Sequence, residues 1–206
     1  MSDTPAVTVL MSVHNGARHL YAAVQSILAQ DFTDFEFLIV NDGSTDNSGA
    51  ILHDLAAHDS RVRLIDREHR GLAASLNEMI AMARSPLLAR MGCDDISMPR
   101  RFSKQVEFLN THPDVDIAGT AAHLIDEDGA VIAAKAEQID SRANLHDALQ
   151  DGPHVCTPSA MMRSAIVRKL GGYRPAFRYA EDYDLWLRAS RESGIVCTAD
   201  ARQLCR

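Results

Sequence analysis

Several common signals are missing from this sequence, and each absence excludes a class of protein. Basic residues are in the minority, with 21 Lys and Arg against 28 Asp and Glu, and the net charge of −7 speaks against nucleic acid as a partner. No apolar run approaches the roughly 20 residues that span a bilayer, and the N-terminus lacks the basic-then-apolar pattern of a signal peptide. The four cysteines have no CxxC spacing, which disfavours a structural zinc site and fits a reducing compartment. We therefore predict a soluble, cytoplasmic protein without a transmembrane segment.

The signatures of several large enzyme classes are missing as well. The nine histidines include no HExxH pair, and neither GxSxG nor the lysine motif of a phosphate-binding loop is present. The segment after the first predicted strand, His14-Asn15-Gly16-Ala17-Arg18, has no GxGxxG pattern. The enzymes that these motifs mark are therefore disfavoured, standard dinucleotide-binding oxidoreductases among them.

The first half of the chain alternates between strand and helix patterns. Hydrophobic residues make up 46% of the sequence, which is enough to build a full core. Short apolar runs predict buried strands at 7–13, 35–40, 62–65 and 87–91. Apolar residues at helical spacing follow each of the first three strands. The alternation predicts an α/β fold, in which helices flank a mostly parallel sheet.

The second half is less regular and predicts a smaller, mixed region. The predicted elements are, in chain order, a helix with Pro99 in its first turn, a strand at 117–124, a hairpin-type turn at 126–129, a strand at 159–162, a short helix capped by Ser164 and ended by Gly171-Gly172, and a helix at 183–191. No internal repeat or linker interrupts the chain, so we predict a single domain over residues 1–206.

Two adjacent carboxylates, Asp94 and Asp95, follow the fourth predicted strand. One interpretation is a plain loop, because acidic residues before a helix are stabilised by its dipole. The other is a divalent-metal site, since two neighbouring carboxylates repel each other unless a cation compensates them. Open α/β sheets place their ligands at the carboxyl ends of strands, which favours the metal.

A second polar cluster, Asn41-Asp42-Gly43-Ser44, follows the second strand. A turn with a helix cap explains this composition. In the functional interpretation, Asp42 binds the ring NH or a ribose hydroxyl of a ligand, and the glycine allows close approach.

The third cluster places Glu181, Asp182 and Asp184 at the start of a helix. Acidic residues there complement the helix dipole. Alternatively, one of them is a general base that accepts a proton from a sugar hydroxyl. The aromatic residues nearby would either wall a sugar site or pack in the core; they are Phe177, Tyr179 and Trp186.

Taken in order, these motifs resemble those of the family 2 glycosyltransferases with the GT-A fold. The motifs that carry the resemblance are Val9-Leu10-Met11-Ser12-Val13-His14-Asn15-Gly16, Val40-Asn41-Asp42-Gly43-Ser44-Thr45-Asp46, Gly71-Leu72 with Asn77, Cys93-Asp94-Asp95 before Ile96-Ser97-Met98-Pro99, and Ala180-Glu181-Asp182-Tyr183-Asp184-Leu185-Trp186. The resemblance runs from about residue 7 to residue 206.

The resemblance implies an inverting transferase that uses a nucleotide-diphosphate sugar, with a UDP-sugar favoured, and Mg²⁺ or Mn²⁺. Residues 1–98 would form the nucleotide-binding half, and residues 99–206 the half that binds a glycan or lipid-linked acceptor. Such an enzyme would assemble surface glycan, lipopolysaccharide or exopolysaccharide in the cytoplasm, with room for peripheral association at the inner face of the membrane.

The resemblance also implies roles for individual residues. Those that would contact the nucleotide are Ser12, His14, Asn15, Asp42, Arg70 and Asp94. Asp94 and Asp95 would hold the metal, and Asp182 would be the catalytic base. Glu181 and Trp186 would contact the acceptor.

One position departs from the family pattern. Many members have Asp-x-Asp-Asp at the metal-binding strand, whereas this chain has Gly92-Cys93-Asp94-Asp95. Gly92 is therefore the feature that favours the competing hypothesis, a nucleotide-sugar-binding protein of the same fold that performs no transfer and serves as a regulatory or partner subunit.

Overall fold

The computed structural model describes residues 4–135 and 155–206. Its strands are β1 (Val7–Val13), β2 (Phe35–Asp42), β3 (Val62–Arg67), β4 (Leu87–Met91), β5 (Ile96–Ser97), β6 (Val115–Ile125), β7 (Val131–Lys135), β8 (Met161–Arg163) and β9 (Gly194–Cys205). Its α-helices are α1 (Ala17–Leu28), α2 (Ser48–His58), α3 (Leu72–Met82), α4 (Arg101–Thr111), α5 (Ser164–Lys169) and α6 (Glu181–Ala189). A 3₁₀ turn, Thr157–Ser159, precedes β8.

The described strands form one mixed sheet in the order β3-β2-β1-β4-β8-β6-β9-β5, and β7 pairs with β6. Strands β1 to β4 are parallel, as the βαβ pattern of the sequence predicts. Strand β8 is antiparallel to both β4 and β6, and it joins the two halves of the chain into one sheet. Strand β9 then pairs parallel to β6 and antiparallel to β5. The α/β fold with a parallel first half and a mixed second half is confirmed.

Helices cover both faces of the sheet because side chains alternate along each buried strand. On β4, Ala89 and Met91 join the core that packs under α1, α2 and α4. Leu88 joins the core on the other face, which includes Leu76 of α3, Val167 of α5 and Trp186 of α6. Arg90, two residues beyond Leu88, therefore has its side chain on the α6 face.

Three local details differ from the sequence predictions. Helix α4 begins at Arg101, so Pro99 precedes it, and the N-cap is Arg100 with φ of +65°. The N-cap of α5 is Arg163, which makes no capping hydrogen bond with its side chain, so Ser164 is the first residue of the helix and not its cap. The strand predicted at 159–162 is partly the 3₁₀ turn, and β8 starts at Met161.

Strands β5 and β9 have no counterpart among the predicted elements. In β9 the apolar pattern breaks around Asp200, where the register against β6 shifts between Thr120 and Ala122. Strand β5 has only two residues, which is too short for periodicity to reveal.

Candidate active site

The loops at the carboxyl ends of β1, β2 and β4 meet at one edge of the sheet. Asn15 joins the loops after β1 and β2. Its Oδ1 accepts hydrogen bonds from the backbone amides of Thr45 (2.8 Å) and Asp46 (3.3 Å), and its backbone amide donates to Ser44 Oγ (3.1 Å). Its φ of +55° is one that asparagine tolerates well. The Asn15 side chain is thus used to hold the two loops together.

The Asp42 carboxylate is buried under four donors. The amides of Arg70 (2.9 Å) and Gly71 (2.8 Å), the Arg67 guanidinium (2.7 Å) and His69 Nδ1 (2.9 Å) all contact its oxygens. Burial by itself would raise the pKa of Asp42, but the two amides, followed by Arg67 and His69, lower it overall. In this arrangement Asp42 holds the segment 69–71 in place, and the His69 side chain is 55% exposed.

A cavity of about 580 Å³ brings most of the predicted nucleotide-binding residues together: Ser12, His14, Asp42 and Arg70 all line it. His14 Nδ1 donates to the Asp42 carbonyl oxygen (2.8 Å), and the His14 ring lies against that of His69 with 4.2 Å between centroids. These two exposed rings form an aromatic surface of the kind that packs on a flat base. His69 was not among the predicted site residues.

The acidic pair is arranged asymmetrically, because Asp94 is exposed whereas Asp95 is 4% exposed. Burial, followed by the charge of Asp94, raises the pKa of Asp95 to about 6. Asp95 Oδ1 accepts a hydrogen bond from the Arg206 amide (3.1 Å), and the Arg206 guanidinium donates to the Asp94 carbonyl oxygen. Burial also raises the pKa of Cys93 to about 11, so this thiol stays neutral near pH 7.

This pair fits a divalent ion that is held jointly with a ligand. Within residues 4–135 and 155–206, no group of three or more His, Cys, Asp or Glu side chains could hold a metal. Mg²⁺, however, is commonly bound through one or two carboxylates together with substrate phosphates. Two adjacent carboxylates, one with a raised pKa, are a donor set that a cation would stabilise.

Gly92 leaves room for these carboxylates. A Cβ added at Gly92 would overlap Asp95 Oδ2 and come within 3.1 Å of Asp94 Oδ1. The carboxylates of Asp94 and Asp95 therefore occupy the space into which a side chain at position 92 would point. The glycine that departs from the family pattern thus lies where these two carboxylates leave no space for a side chain.

Asp182, in the first turn of α6, is half-buried, and its Oδ1 is buried without a hydrogen-bond partner among the described residues. Burial raises the pKa of Asp182; Arg90 opposes this shift, and Glu181 adds to it. A carboxylate with an unpaired oxygen and a raised pKa is suited to accept a proton from a bound hydroxyl. Asp184 is different, because it pairs with Arg188 (2.7 Å) and Arg174 (3.4 Å).

A second cavity, of about 450 Å³, brings Asp182 together with Asp94 and Asp95. Tyr179 lines both this cavity and the one with Ser12 and His14, so the two cavities meet at this side chain. We call them the acidic pocket and the nucleotide pocket.

Two of the predicted acceptor contacts lie elsewhere. Glu181 is 8% exposed and lines the nucleotide pocket instead of the acidic one. Trp186 is fully buried in the core beneath α6. The expectation that Trp186 contacts an acceptor is corrected, because its ring has no exposed surface to offer.

Arg90 and Tyr173 are neighbours of Asp182 that the sequence predictions missed. Arg90 is 6% exposed and Tyr173 is 1% exposed, and both influence the pKa of Asp182. The available signal was an arginine inside the otherwise apolar strand Leu87–Met91, where a charge is costly unless it is used.

Comparisons with known proteins agree with this architecture. Residues 8–171 match the family described as "Glycosyl transferase family 2". EpsE of Bacillus subtilis (strain 168), named as a glycosyltransferase, is 36% identical over 196 residues, which cover 93% of this chain and 69% of EpsE. The O-antigen biosynthesis glycosyltransferase WbnJ of Escherichia coli is 30% identical over 187 residues, which cover 90% of this chain and 72% of WbnJ.

Solved structures share the fold at lower sequence identity. TarS of S. aureus, residues 1–349, superposes with a TM-score of 0.79 at 17% identity, covering 97% of this chain and 60% of that TarS segment. The mannosyltransferase PcManGT from Pyrobaculum calidifontis, in complex with GDP-Man and Mn²⁺, gives a TM-score of 0.74 at 17% identity, covering 98% of this chain and 57% of PcManGT. The chain thus spans less than two thirds of these solved chains. The sequence match of this chain and its GT-A-type sheet both indicate the same family. The chain belongs to glycosyl transferase family 2.

Proposed function

We propose that this glycosyltransferase moves a sugar from a nucleotide-diphosphate donor to an acceptor hydroxyl with inversion of configuration. The observation that carries the proposal is the position of Asp182, which shares the acidic pocket with Asp94 and Asp95 and lies beside the nucleotide pocket. Solved relatives support the donor class, since TarS has been crystallised with UDP-GlcNAc and PcManGT with GDP-Man.

The donor would lie across both pockets. His14, His69 and Arg70 line or border the nucleotide pocket and would contact the base and the phosphates. Asp94 and Asp95 would hold Mg²⁺ or Mn²⁺ against the diphosphate. The chemistry that the ion supplies when bound is charge neutralisation, which makes the diphosphate a better leaving group.

Asp182 would act as the general base. It accepts the proton of the acceptor hydroxyl while the hydroxyl oxygen attacks the anomeric carbon on the face opposite to the diphosphate. The bond between that carbon and the diphosphate breaks in the same displacement, so one step inverts the configuration. Desolvation raises the pKa of Asp182 and so keeps its basicity above that of an exposed aspartate.

The acceptor would be a glycan or a lipid-linked sugar in the assembly of surface polysaccharide. The support is the relationship to WbnJ, which is named for O-antigen biosynthesis. Among residues 4–135 and 155–206, no helix is long and apolar enough to cross a membrane.

The test is turnover of a panel of UDP-, GDP- and dTDP-sugars with Mn²⁺ by the parent protein and by Asp182→Asn. We expect one donor class to react, and Asp182→Asn to lower kcat by about 10²- to 10⁴-fold, the usual contribution of a general base. Asp54→Asn, an exposed position on α2, is the matched control and should leave kcat unchanged. Nucleotide binding without turnover of any donor would support the competing hypothesis of a binding protein that performs no transfer.

A further inference from the structure

Tyr179 has two features that do not serve the stability of the fold. Its φ of +67° places a residue with a Cβ in the left-handed region. Its side chain is 87% exposed, so the phenol ring contributes little to the core. Of the two other described residues with positive φ outside glycine, Asn15 is of a type that favours this conformation, and Arg100 caps α4. Strain of this kind persists where the surroundings impose it, and it concentrates at functional sites.

The surroundings of Tyr179 do impose its position. Arg188 of α6 donates to the carbonyl oxygens of Leu170 and Gly172, both at 2.8 Å, and so fixes the start of the preceding loop. At the loop's end, the Ala180 amide donates to the Phe177 carbonyl oxygen (2.9 Å). The loop therefore enters α6 through a tight turn that projects the Tyr179 ring three residues before Asp182.

The ring projects where the nucleotide pocket and the acidic pocket meet. The Arg178 guanidinium lies over the ring at 5.0 Å from its centroid. The guanidinium occupies one face, and the high exposure of the ring leaves the opposite face accessible from solvent. An exposed, pre-positioned aromatic face beside a general base is suited to a ligand that is apolar on one side and rich in hydroxyls at its edge.

We propose that Tyr179 binds the acceptor, with its ring packed against one face of a pyranose so that a hydroxyl of that sugar reaches Asp182. This inference rests on the proposed transferase function. The donor is already provided with contacts at its base and its diphosphate, whereas the acceptor arrives from solvent at the mouth of the pockets, where Tyr179 lies. Tyr179 is thus a specificity-determining residue for the acceptor sugar.

The test uses p-nitrophenyl pyranosides of glucose, galactose, N-acetylglucosamine and N-acetylgalactosamine as acceptor probes. Each is titrated by calorimetry into the protein saturated with UDP and Mn²⁺, and the KM of each glycoside is measured in transfer assays. We expect Tyr179→Gly to weaken glycoside binding about tenfold, the effect of losing one packed aromatic anchor. Its affinity for UDP should fall less than its affinity for the glycosides, because the ring lies at the border of the nucleotide pocket, whereas His14, His69 and Arg70 provide the proposed contacts to the base and the phosphates. Tyr179→Phe should bind the glycoside like the parent.

Thermal unfolding separates this role from a structural one. Tyr179→Gly removes the left-handed strain and should not lower Tm, so weaker glycoside binding cannot reflect unfolding. Arg100→Gly is the matched control, since it relieves the same kind of strain at a residue that lines neither pocket, and it should bind glycosides normally.

Three outcomes would overturn the inference. The parent protein binds no glycoside, Tyr179→Gly binds the glycosides as tightly as the parent does, or Tyr179→Gly lowers the affinity for UDP and not that for the glycosides. Glycoside binding that depends on Tyr179, in a protein that turns over no donor, would leave this inference standing and remove the proposed transfer.

Discussion

At the scale of single residues, the acidic loop shows how a missing side chain can be part of a site. The carboxylates of Asp94 and Asp95 fold over Gly92, and Asp95 is nearly buried there. In a chain with an aspartate at position 92, the carboxylates at positions 94 and 95 would have to lie elsewhere. Gly92 is therefore compatible with a working metal site in this chain.

Gly92→Ala tests this packing. The added methyl group must displace the Asp95 carboxylate, so we expect donor affinity in Mn²⁺ to fall about tenfold, a loss of about 1.4 kcal/mol. Affinity in EDTA should hardly change. Gly49→Ala, the same substitution inside α2, is the control and should leave both affinities unchanged. Equal losses with and without Mn²⁺ would show that Gly92 acts on the nucleotide pocket and not on the metal.

Arg90 is expected to set the pH range in which Asp182 can act as a base. Burial raises the pKa of Asp182, and Arg90 is the largest influence that lowers it. The base works only when it is ionised, so kcat/KM falls as the pH drops through the pKa of Asp182. Arg90→Met removes the opposing charge, raises that pKa further and should move the acidic limb of the pH profile to higher pH.

Two more variants make this prediction specific. Arg61→Met removes a half-buried arginine that pairs with Asp59 and lines neither pocket, and it should keep the limb in place. Tyr173→Phe removes a hydroxyl that lowers the pKa of Asp182, and it should move the limb in the same direction as Arg90→Met. An unchanged acidic limb in Arg90→Met and Tyr173→Phe would disprove this role.

At the scale of elements, α4 depends on a residue that follows another helix. Its N-cap, Arg100, makes no capping hydrogen bond with its side chain. Gln30, after α1, supplies the missing partner: its Oε1 accepts from the Phe102 amide (3.2 Å), and its Nε2 donates to the Met98 carbonyl oxygen (2.9 Å). This side chain is 4% exposed and ties α1 to the start of α4.

Gln30→Leu should therefore lower the free energy of unfolding by about 2–3 kcal/mol, because a buried amide and a buried carbonyl lose their partner. Urea denaturation gives the value. Gln25→Leu on α1 is the matched control; this half-buried side chain makes no hydrogen bond within the described part of the chain, and its loss should cost less than about 0.5 kcal/mol. A similar loss in both variants would show that Gln30 does not cap α4.

At the scale of the whole molecule, β8 holds the two halves together. Met161 lies opposite Ala89 of β4 and opposite Ala118 of β6, and it is fully buried. The sheet is continuous through this strand, so neither half has a complete core by itself. The predicted halves, 1–98 and 99–206, are regions of one sheet over the described residues.

This continuity predicts a single cooperative unfolding transition. Trp186, the one tryptophan, reports on the core of the second half, whereas far-ultraviolet circular dichroism reports on the whole chain. The two signals should have the same midpoint in urea. Met161→Ala should lower both midpoints together and cost about 2–5 kcal/mol. Separate midpoints would mean that the halves unfold independently.

The sequence determined the parallel half of the sheet and the order of the motifs. Runs such as Val7–Val13 and Leu87–Met91 are buried on both faces, so their composition alone identifies them as strands. The polar loops after them meet at one edge because parallel strands align their carboxyl ends. Asp94 and Asp95 were therefore identifiable as a candidate site before their geometry was known, and Asp182 was identifiable from the acidic start of its helix. Their metal-binding and catalytic roles stay predictions.

Only the tertiary structure decided which side chains face the pockets. Trp186 and Tyr179 are both aromatic residues near the acidic motif, yet one is fully buried and the other is the most exposed of the large hydrophobic side chains described. Nothing local separates them, because burial depends on which face of α6 packs on the sheet and on the turn before it. The same holds for Asp42, whose four donors come from residues 67–71, and for Arg90, whose influence on Asp182 exists because β4 lies under α6. Contacts between residues distant in sequence set the charge and exposure of each group, and local sequence patterns do not reveal these contacts.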